Sequence, residues 1–143
     1  MKIKIALSQF NTTLGDINAN LEKHLEQIKD AKAKEADLLI FPELSLTGYA
    51  LQDLAVKCAI KPHQDEPVFK ALLDAAGEEL DLMVGFVHED RRHRFYIAAA
   101  YLSQGKLRHI HNKVYLPTYG MFDEGRFFAW GDRVRAFDTR FGR

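Results

Sequence analysis

The sequence has little cysteine, no excess of charge of either sign and no long hydrophobic run. Its single thiol, Cys58, excludes an internal disulfide framework. Twenty basic residues balance twenty acidic ones, so no basic stripe favours nucleic acid and no polybasic segment favours an anionic membrane surface. No apolar run approaches the roughly 18 residues of a membrane-spanning helix. These absences favour a cytoplasmic globular protein without nucleic-acid or membrane partners.

The chain of 143 residues, 47% of them apolar, is long enough for one domain or part of one. Alternating apolar residues predict a first strand over residues 2–10, and a continuous apolar run predicts a second over residues 37–41. Between them lies one apolar stripe at helical spacing, formed by Ile17, Leu21, Leu25 and Ile28. This order predicts a βαβ unit with parallel strands and, for the chain, an α/β fold.

Helices and strands alternate less regularly in the prediction for the rest of the chain, from residue 51 onward. Residues 51–60 are compatible with a helix, and Pro67 suits the first position of a helix that ends near Gly77. Three strands follow in the prediction, the last two joined as a hairpin at Gln104 and Gly105. Their ranges are 82–87, 95–103 and 106–112. A final short strand is expected over residues 134–138.

Glu43 directly follows the second predicted strand. Pro42 has no N–H to offer the ladder, so the strand ends there and leaves Glu43 at the edge where α/β proteins place their chemistry. An acid against apolar walls can serve as a general base near neutral pH. The alternative is a first-turn helix residue favoured by the helix dipole.

Lys113 follows the predicted hairpin and precedes a loop that contains proline. Its ammonium could stabilise an oxyanion, or it could be an ordinary solvated lysine at a strand end. Glu124 lies eleven positions later and is a further candidate for a site residue. Because Asp123 and Arg126 lie beside Glu124, a purely structural ion-pair cluster is the alternative.

Aromatic residues near these groups are candidates for lining a small-molecule pocket. They are Tyr49, Tyr119 and Phe122, of which Phe122 also fits an ordinary core position. His109 and His111 share one side of a strand, but no third ligand is spaced for a metal site. The remaining histidines, among them His24, lie in polar contexts that predict no function.

Two separate segments carry a family resemblance. Residues 41–49 read FPELSLTGY, and residues 111–117 read HNKVYLP, followed by FDEGRFF at 122–128. These segments resemble the glutamate and lysine motifs of the nitrilase superfamily, the carbon–nitrogen hydrolases, and residues 3–10 resemble its first strand. The resemblance implies a four-layer α-β-β-α sandwich, with Glu43 as the base, Lys113 as the oxyanion donor and Glu124 as a residue that orients the lysine and helps to position substrate. It also implies that Glu43 and Lys113 converge on one cleft. Tyr49 and Tyr119 are further possible substrate-positioning residues. It implies no cofactor and no metal.

The third motif of that family, a strand carrying the nucleophilic cysteine, is not in the sequence. In the family the nucleophile follows the lysine motif, whereas Cys58 precedes it on a predicted helix, so we expect Cys58 not to be the nucleophile. The resemblance therefore implies that residues 1–143 are the N-terminal portion of a single hydrolase domain. We expect this portion to be inactive alone, and completed by downstream residues or associated as a homo-oligomer.

The function that the resemblance implies is hydrolysis of a non-peptide carbon–nitrogen bond in a small-molecule amide or nitrile. A free-standing amidase is the first expectation. One alternative is the glutaminase domain of a glutamine-dependent NAD synthetase, which the segment LPTYGMFDE at 116–124 also resembles. The other is a non-catalytic binding or assembly module that keeps the fold without a nucleophile.

Overall fold

A computed structural model describes residues 2–143 and places one five-stranded sheet there, in the order β1-β2-β3-β4-β5. The first three strands are parallel, while β3, β4 and β5 pair antiparallel. The strands are β1 Ile5–Leu7, β2 Leu38–Ile40, β3 Asp81–Glu89, β4 Phe95–Ser103 and β5 Lys106–Asn112. The chain therefore begins as a parallel βαβ unit and ends as an antiparallel meander.

Helices connect the parallel strands and begin at recognisable capping residues. Helix α1 covers Ile17–Ala33, and the Asp16 carboxylate accepts a hydrogen bond from the Ala19 backbone N–H at its N-terminus. Helix α2 covers Pro67–Ala76, with Pro67 at its first position as the sequence predicts. The helix labelled α3 is a single turn, Glu124–Phe127. None of the helices within residues 2–143 combines the length and apolar character needed to cross a bilayer.

The main core lies between the two long helices and one face of the sheet. Phe69 of α2 and Phe86 of β3 are fully buried there, with their rings edge to face and 5.1 Å between centroids. Burying an aromatic side chain of this size stabilises the fold by about 1.5–3 kcal/mol. On β1, Ala6 packs against this core, whereas Ile5 and Leu7 point the other way and are 53% and 75% exposed. The second face of the sheet is thus less covered than the first.

The hairpin of β4 and β5 has the predicted bounds, and Gln104 and Gly105 both have positive φ, as a two-residue type I′ turn requires. Three sequence predictions are corrected. The first strand covers three residues instead of nine, and residues 51–60 form a 3-10 turn, Gln52–Val56, followed by an isolated bridge from Ile60 to His88, in place of a helix. Residues 134–138 form no strand, because that segment crosses the sheet and stacks Phe137 on the His109 ring at 4.2 Å.

Candidate active site

The loop that carries Glu43 lies directly on β3. Leu46 donates its backbone N–H to the Gly85 carbonyl at 3.1 Å, and a Cβ on Gly85 would come within 2.5 Å of the Pro42 carbonyl oxygen and the Leu44 nitrogen. Leu44 has a φ of 52°, a left-handed conformation that costs a leucine free energy. Glu43 therefore lies in a tight, strained turn, and the first-turn helix alternative for this residue is wrong.

Lys113 and Glu124 reach the same place from other elements. The Lys113 backbone continues the pairing of β5, because its N–H donates to the Ile97 carbonyl at 2.8 Å. On the other side, the Gly131 N–H donates to the Lys113 carbonyl at 2.8 Å. Glu124 opens α3, and its N–H donates to the Pro117 carbonyl. Each of the two side chains thus projects from backbone that is held by hydrogen bonds.

The three charged groups meet. The Lys113 Nζ lies 3.1 Å from Glu43 Oε2 and 3.0 Å from Glu124 Oε2. The predicted convergence of Glu43 and Lys113, 113 − 43 = 70 positions apart, is confirmed. The side chain of Glu124 is only 5% exposed, against 26% for Lys113 and 44% for Glu43. The ion pair of Glu124 is made with Lys113, whereas the Arg126 guanidinium lies over the Phe127 ring.

The surroundings keep Lys113 charged. Burial acts to lower the pKa of the Lys113 ammonium, but the hydrogen bonds to Glu124 and Glu43 outweigh burial, and the net direction is upward. Tyr49 donates a 2.5 Å hydrogen bond to Glu124 Oε1. Burial, reinforced by Glu124, raises the pKa of the Tyr49 phenol. The site therefore holds the Lys113 ammonium between two acidic side chains, and the protonated Tyr49 phenol donates to one of them.

A cavity of about 240 Å³ opens beside Glu43 and Lys113. Its other walls are mostly apolar: Phe41, Pro42, Met83, Gly85, Ile97, Ala98, Ala99 and His111. A second cavity of about 150 Å³ is lined by Tyr49, Phe122 and Glu124 among others. Tyr119 is 73% exposed and contacts the edge of the Phe122 ring, so its place at a substrate remains a prediction. An apolar cavity with one acid and one ammonium suits a small polar ligand.

Cys58 lies elsewhere. Its thiol is buried, donates to the Gly15 carbonyl at 3.5 Å and is absent from the lining of both cavities. Burial raises the pKa of the Cys58 thiol, although the neighbouring Lys57 acts in the opposite direction. A buried neutral thiol is a poor nucleophile. Within residues 2–143 no three His, Cys, Asp or Glu side chains are grouped so that they could hold a metal ion.

Two residues of the site's support escape the sequence predictions. Gly85 is an isolated glycine in an apolar strand, a pattern that signals close backbone approach. His24 has polar neighbours along the chain, so the sequence predicts no function for it. In the structure it is fully buried beneath the Glu43 loop. No pattern in the sequence alone marks His24.

The α/β sheet and the Glu43–Lys113–Glu124 group agree with a family comparison. Residues 4–143 match the family model described as carbon-nitrogen hydrolase, and the chain belongs to this family, the nitrilase superfamily. The predicted family and its fold are thereby confirmed.

The chain is similar to particular members of this family. The chain is 36% identical over 135 residues to the glutamine-dependent NAD(+) synthetase of Acinetobacter baylyi, a match that covers 94% of this chain and 24% of that protein. The solved glutamine-dependent NAD+ synthetase of Acinetobacter baumannii superposes with a TM-score of 0.80 at 34% identity, covering 96% of this chain and 26% of that one. Saccharomyces cerevisiae Nit3 superposes with a TM-score of 0.79 at 23% identity, covering 98% and 52%. The chain thus spans about a quarter of the length of the NAD synthetases that it matches.

Proposed function

We propose that this chain supplies the base and the oxyanion donor of an amide-hydrolysing site, in which a cysteine from outside these 143 residues is the nucleophile. The observation that carries the proposal is the contact of the Lys113 ammonium with Glu43 and Glu124 at the mouth of an apolar cavity. Residues 1–143 are then the N-terminal portion of one hydrolase domain. The rest of that domain covers the sheet face that exposes Ile5 and Leu7.

The proposed reaction uses Glu43 twice. Glu43 first takes the proton of the cysteine thiol, and the thiolate attacks the amide carbon. The carbonyl oxygen becomes an oxyanion, which the Lys113 ammonium stabilises. As the carbon–nitrogen bond breaks, Glu43 returns the proton to the leaving nitrogen and ammonia departs. Glu43 then takes a proton from water, and the resulting hydroxide attacks the thioester carbon. When the carbon–sulfur bond breaks, Glu43 passes the proton to the cysteine thiolate, and the carboxylic acid product is released.

Glu124 and Tyr49 are positioning residues in this scheme. Glu124 is nearly buried and holds Lys113 at 3.0 Å, while Tyr49 fixes one oxygen of Glu124. Both contacts restrict the side-chain conformations of Lys113 and so fix the position of its ammonium. A charged group that is fixed before the reaction stabilises the oxyanion without reorganising.

The side-chain amide of glutamine is the substrate that we propose. The support is sequence identity of 32–36% with the curated glutamine-dependent NAD synthetases that the chain matches and of 34% with the solved one of Acinetobacter baumannii. The solved NAD synthetase of Cytophaga hutchinsonii at 21%, and Nit3 and a solved amidase from a Nesterenkonia species at 23%, show the fold alone. A free-standing amidase acting on simple aliphatic amides is the second candidate, because the walls of the cavity beside Glu43 and Lys113 are mostly apolar.

The test uses the full-length protein that contains this chain and measures ammonia release from glutamine and from simple aliphatic amides. We expect glutamine to be preferred. Glu43→Gln and Lys113→Ala should each lower kcat about a hundredfold or more, as loss of a general base or an oxyanion donor does. Cys58→Ser is the matched control, and we expect it to keep nearly full turnover.

Four results would contradict parts of this proposal. Preference for aliphatic amides would favour the free-standing amidase. Absence of any turnover in the full-length protein would favour a non-catalytic module. Loss of turnover in Cys58→Ser with its fold intact, or amide hydrolysis by residues 1–143 alone, would overturn our assignment of the nucleophile.

A further inference from the structure

A cluster of buried polar side chains lies between α1 and the loop that carries Glu43. Asn20 and His24 of α1 and Ser45 of the loop are each 0% exposed. Because Asn20 and His24 are four residues apart, they lie on one face of the helix, a turn from each other. Buried polar side chains of this kind are stabilising only when their hydrogen bonds are made.

The hydrogen bonds of His24 define its tautomer. Nδ1 lies 2.7 Å from the Asn20 carbonyl oxygen, which can only accept, so Nδ1 must carry the proton. Nε2 is then an acceptor, and Ser45 donates its hydroxyl to Nε2 at 2.9 Å. The ring itself is fixed by aromatic neighbours, with centroids 4.2 Å from Phe41 and 5.2 Å from Phe10. His24 therefore presents a rigid acceptor to the loop.

Asn20 holds the next residue of the same loop. The Asn20 side-chain NH₂ donates to the Leu46 carbonyl at 3.0 Å and to the Thr13 carbonyl at 2.8 Å, and the side-chain Oδ1 accepts from the Thr13 backbone N–H. Ser45 and Leu46 follow Leu44, whose left-handed φ is strained for a leucine. A strained turn persists only where its surroundings hold it, and α1 supplies two of the hydrogen bonds that do so.

We propose that His24 is a positioning residue for Glu43, acting through Ser45 to hold the strained loop against Gly85 so that the carboxylate stays in contact with Lys113. This inference rests on the proposed function, since it assigns His24 a part in placing the proposed base. If His24 only fills the core, its loss lowers stability and leaves the contact between Glu43 and Lys113 as it was.

The contact is measured through the titration of Lys113, by carbon NMR of the full-length protein labelled in its lysine side chains. We expect His24→Phe, which keeps an aromatic ring but removes the acceptor, to lower the pKa of Lys113 by roughly half a unit to one unit, because a nearby carboxylate moves away. Glu43→Gln gives the full contribution of the Glu43 carboxylate to the pKa of Lys113. Ser45→Ala removes the same hydrogen bond from the loop side and should lower the pKa of Lys113 in the same direction.

The matched control is Tyr101→Phe. Tyr101 donates a buried hydrogen bond to Asp81 in another part of the sheet, so this variant loses one buried hydrogen bond without touching the Glu43 loop. It should lower the thermal stability and leave the pKa of Lys113 unchanged. An unchanged pKa of Lys113 in both His24→Phe and Ser45→Ala would overturn the proposal, as would an equal shift in Tyr101→Phe.

Two further measurements keep the inference separate from the proposed function. Nitrogen NMR of the unmodified chain should show His24 protonated at Nδ1 only, and protonation at Nε2 would contradict the inference without any variant. In the full-length protein, His24→Phe should lower kcat more than it raises KM. If Glu43→Gln leaves kcat unchanged, the proposed function fails, whereas the effect of His24 on the pKa of Lys113 is decided independently.

Discussion

Replacing Gly85 by alanine tests whether the Glu43 loop depends on the bare backbone of β3. The new Cβ would lie 2.5 Å from the Pro42 carbonyl oxygen and from the Leu44 nitrogen, well inside ordinary van der Waals contact. Both neighbours are backbone atoms, which cannot rotate out of the way as a side chain can. The loop must therefore move off the strand by about 1 Å to restore an ordinary contact distance.

The expected cost follows from the geometry. Overpacking a buried position costs about 1–3 kcal/mol, and the rigid backbone neighbours here favour the upper end of that range. Alanine in a strand regains roughly 0.5–1 kcal/mol relative to glycine. We therefore expect Gly85→Ala to lower the free energy of unfolding by about 2 kcal/mol, which corresponds to a fall in Tm of about 4–8 °C for a chain of this size. The displaced loop should also lower the pKa of Lys113.

Urea unfolding followed by circular dichroism, together with the titration of Lys113, measures both effects. Gly105→Ala is the control, because Gly105 lies in the β4–β5 turn with a φ of 67° and open space around it. That variant should lose stability through backbone strain alone and leave the pKa of Lys113 unchanged. If Gly85→Ala is as stable as the parent chain and Lys113 titrates normally in it, the close approach of the loop to β3 is refuted.

Two further predictions concern titration. Burial lowers the pKa of His24 to about 4, against the opposing effect of its hydrogen bond to Asn20, while the unfolded chain keeps a value of about 6.5. The unfolded chain thus binds more protons between these values, so the free energy of unfolding should fall by up to about 3 kcal/mol as the pH drops from 6.5 to 4. Urea midpoints measured across that pH range check the fall in the free energy of unfolding. His24→Phe should remove the part of the pH dependence that His24 contributes, and a pH dependence that is unchanged in this variant would contradict the prediction. Glu124→Gln should lower the pKa of Lys113 and, in ultraviolet titration, that of Tyr49, because a neutral amide replaces the carboxylate that both groups contact. Identical titrations of Lys113 before and after the change would show that this ion pair does not form.

Patterns that are local in sequence predict local structure well here. Alternating residues and a Gln–Gly turn predict the bounds of the β4–β5 hairpin, because a two-residue turn fixes the register of both strands. The motifs around Glu43 and Lys113 likewise predict that these residues meet. In contrast, residues 134–138 have strand-like composition but lie across the sheet, and their packing depends on the distant ring of His109.

The buried stripe of α1 shows why part of the site's support could not be predicted. Periodicity among apolar residues points to Ile17, Leu21, Leu25 and Ile28, of which the structure buries Ile28 fully and leaves the other three only partly buried. The four fully buried positions of α1 are Asn20, His24, Ile28 and Ala31. A polar residue at such a position is stable only with partners, and one partner of each lies more than twenty residues away along the chain: the Leu46 carbonyl for Asn20 and the Ser45 hydroxyl for His24. Polarity alone therefore assigns His24 to the surface.

The two carboxylates on Lys113 are not equivalent, and the difference assigns their roles in the proposed reaction. Glu124 is nearly buried and is held by both the Tyr49 hydroxyl and the Lys113 ammonium. Glu43 is 44% exposed, and Lys113 is its one side-chain partner within the described part of the chain. A general base must release one contact to accept a proton, and Glu43 has fewer contacts to lose. Glu43 also borders the apolar cavity in which an amide would lie, so it can reach a thiol or a water there while Glu124 keeps the ammonium in place.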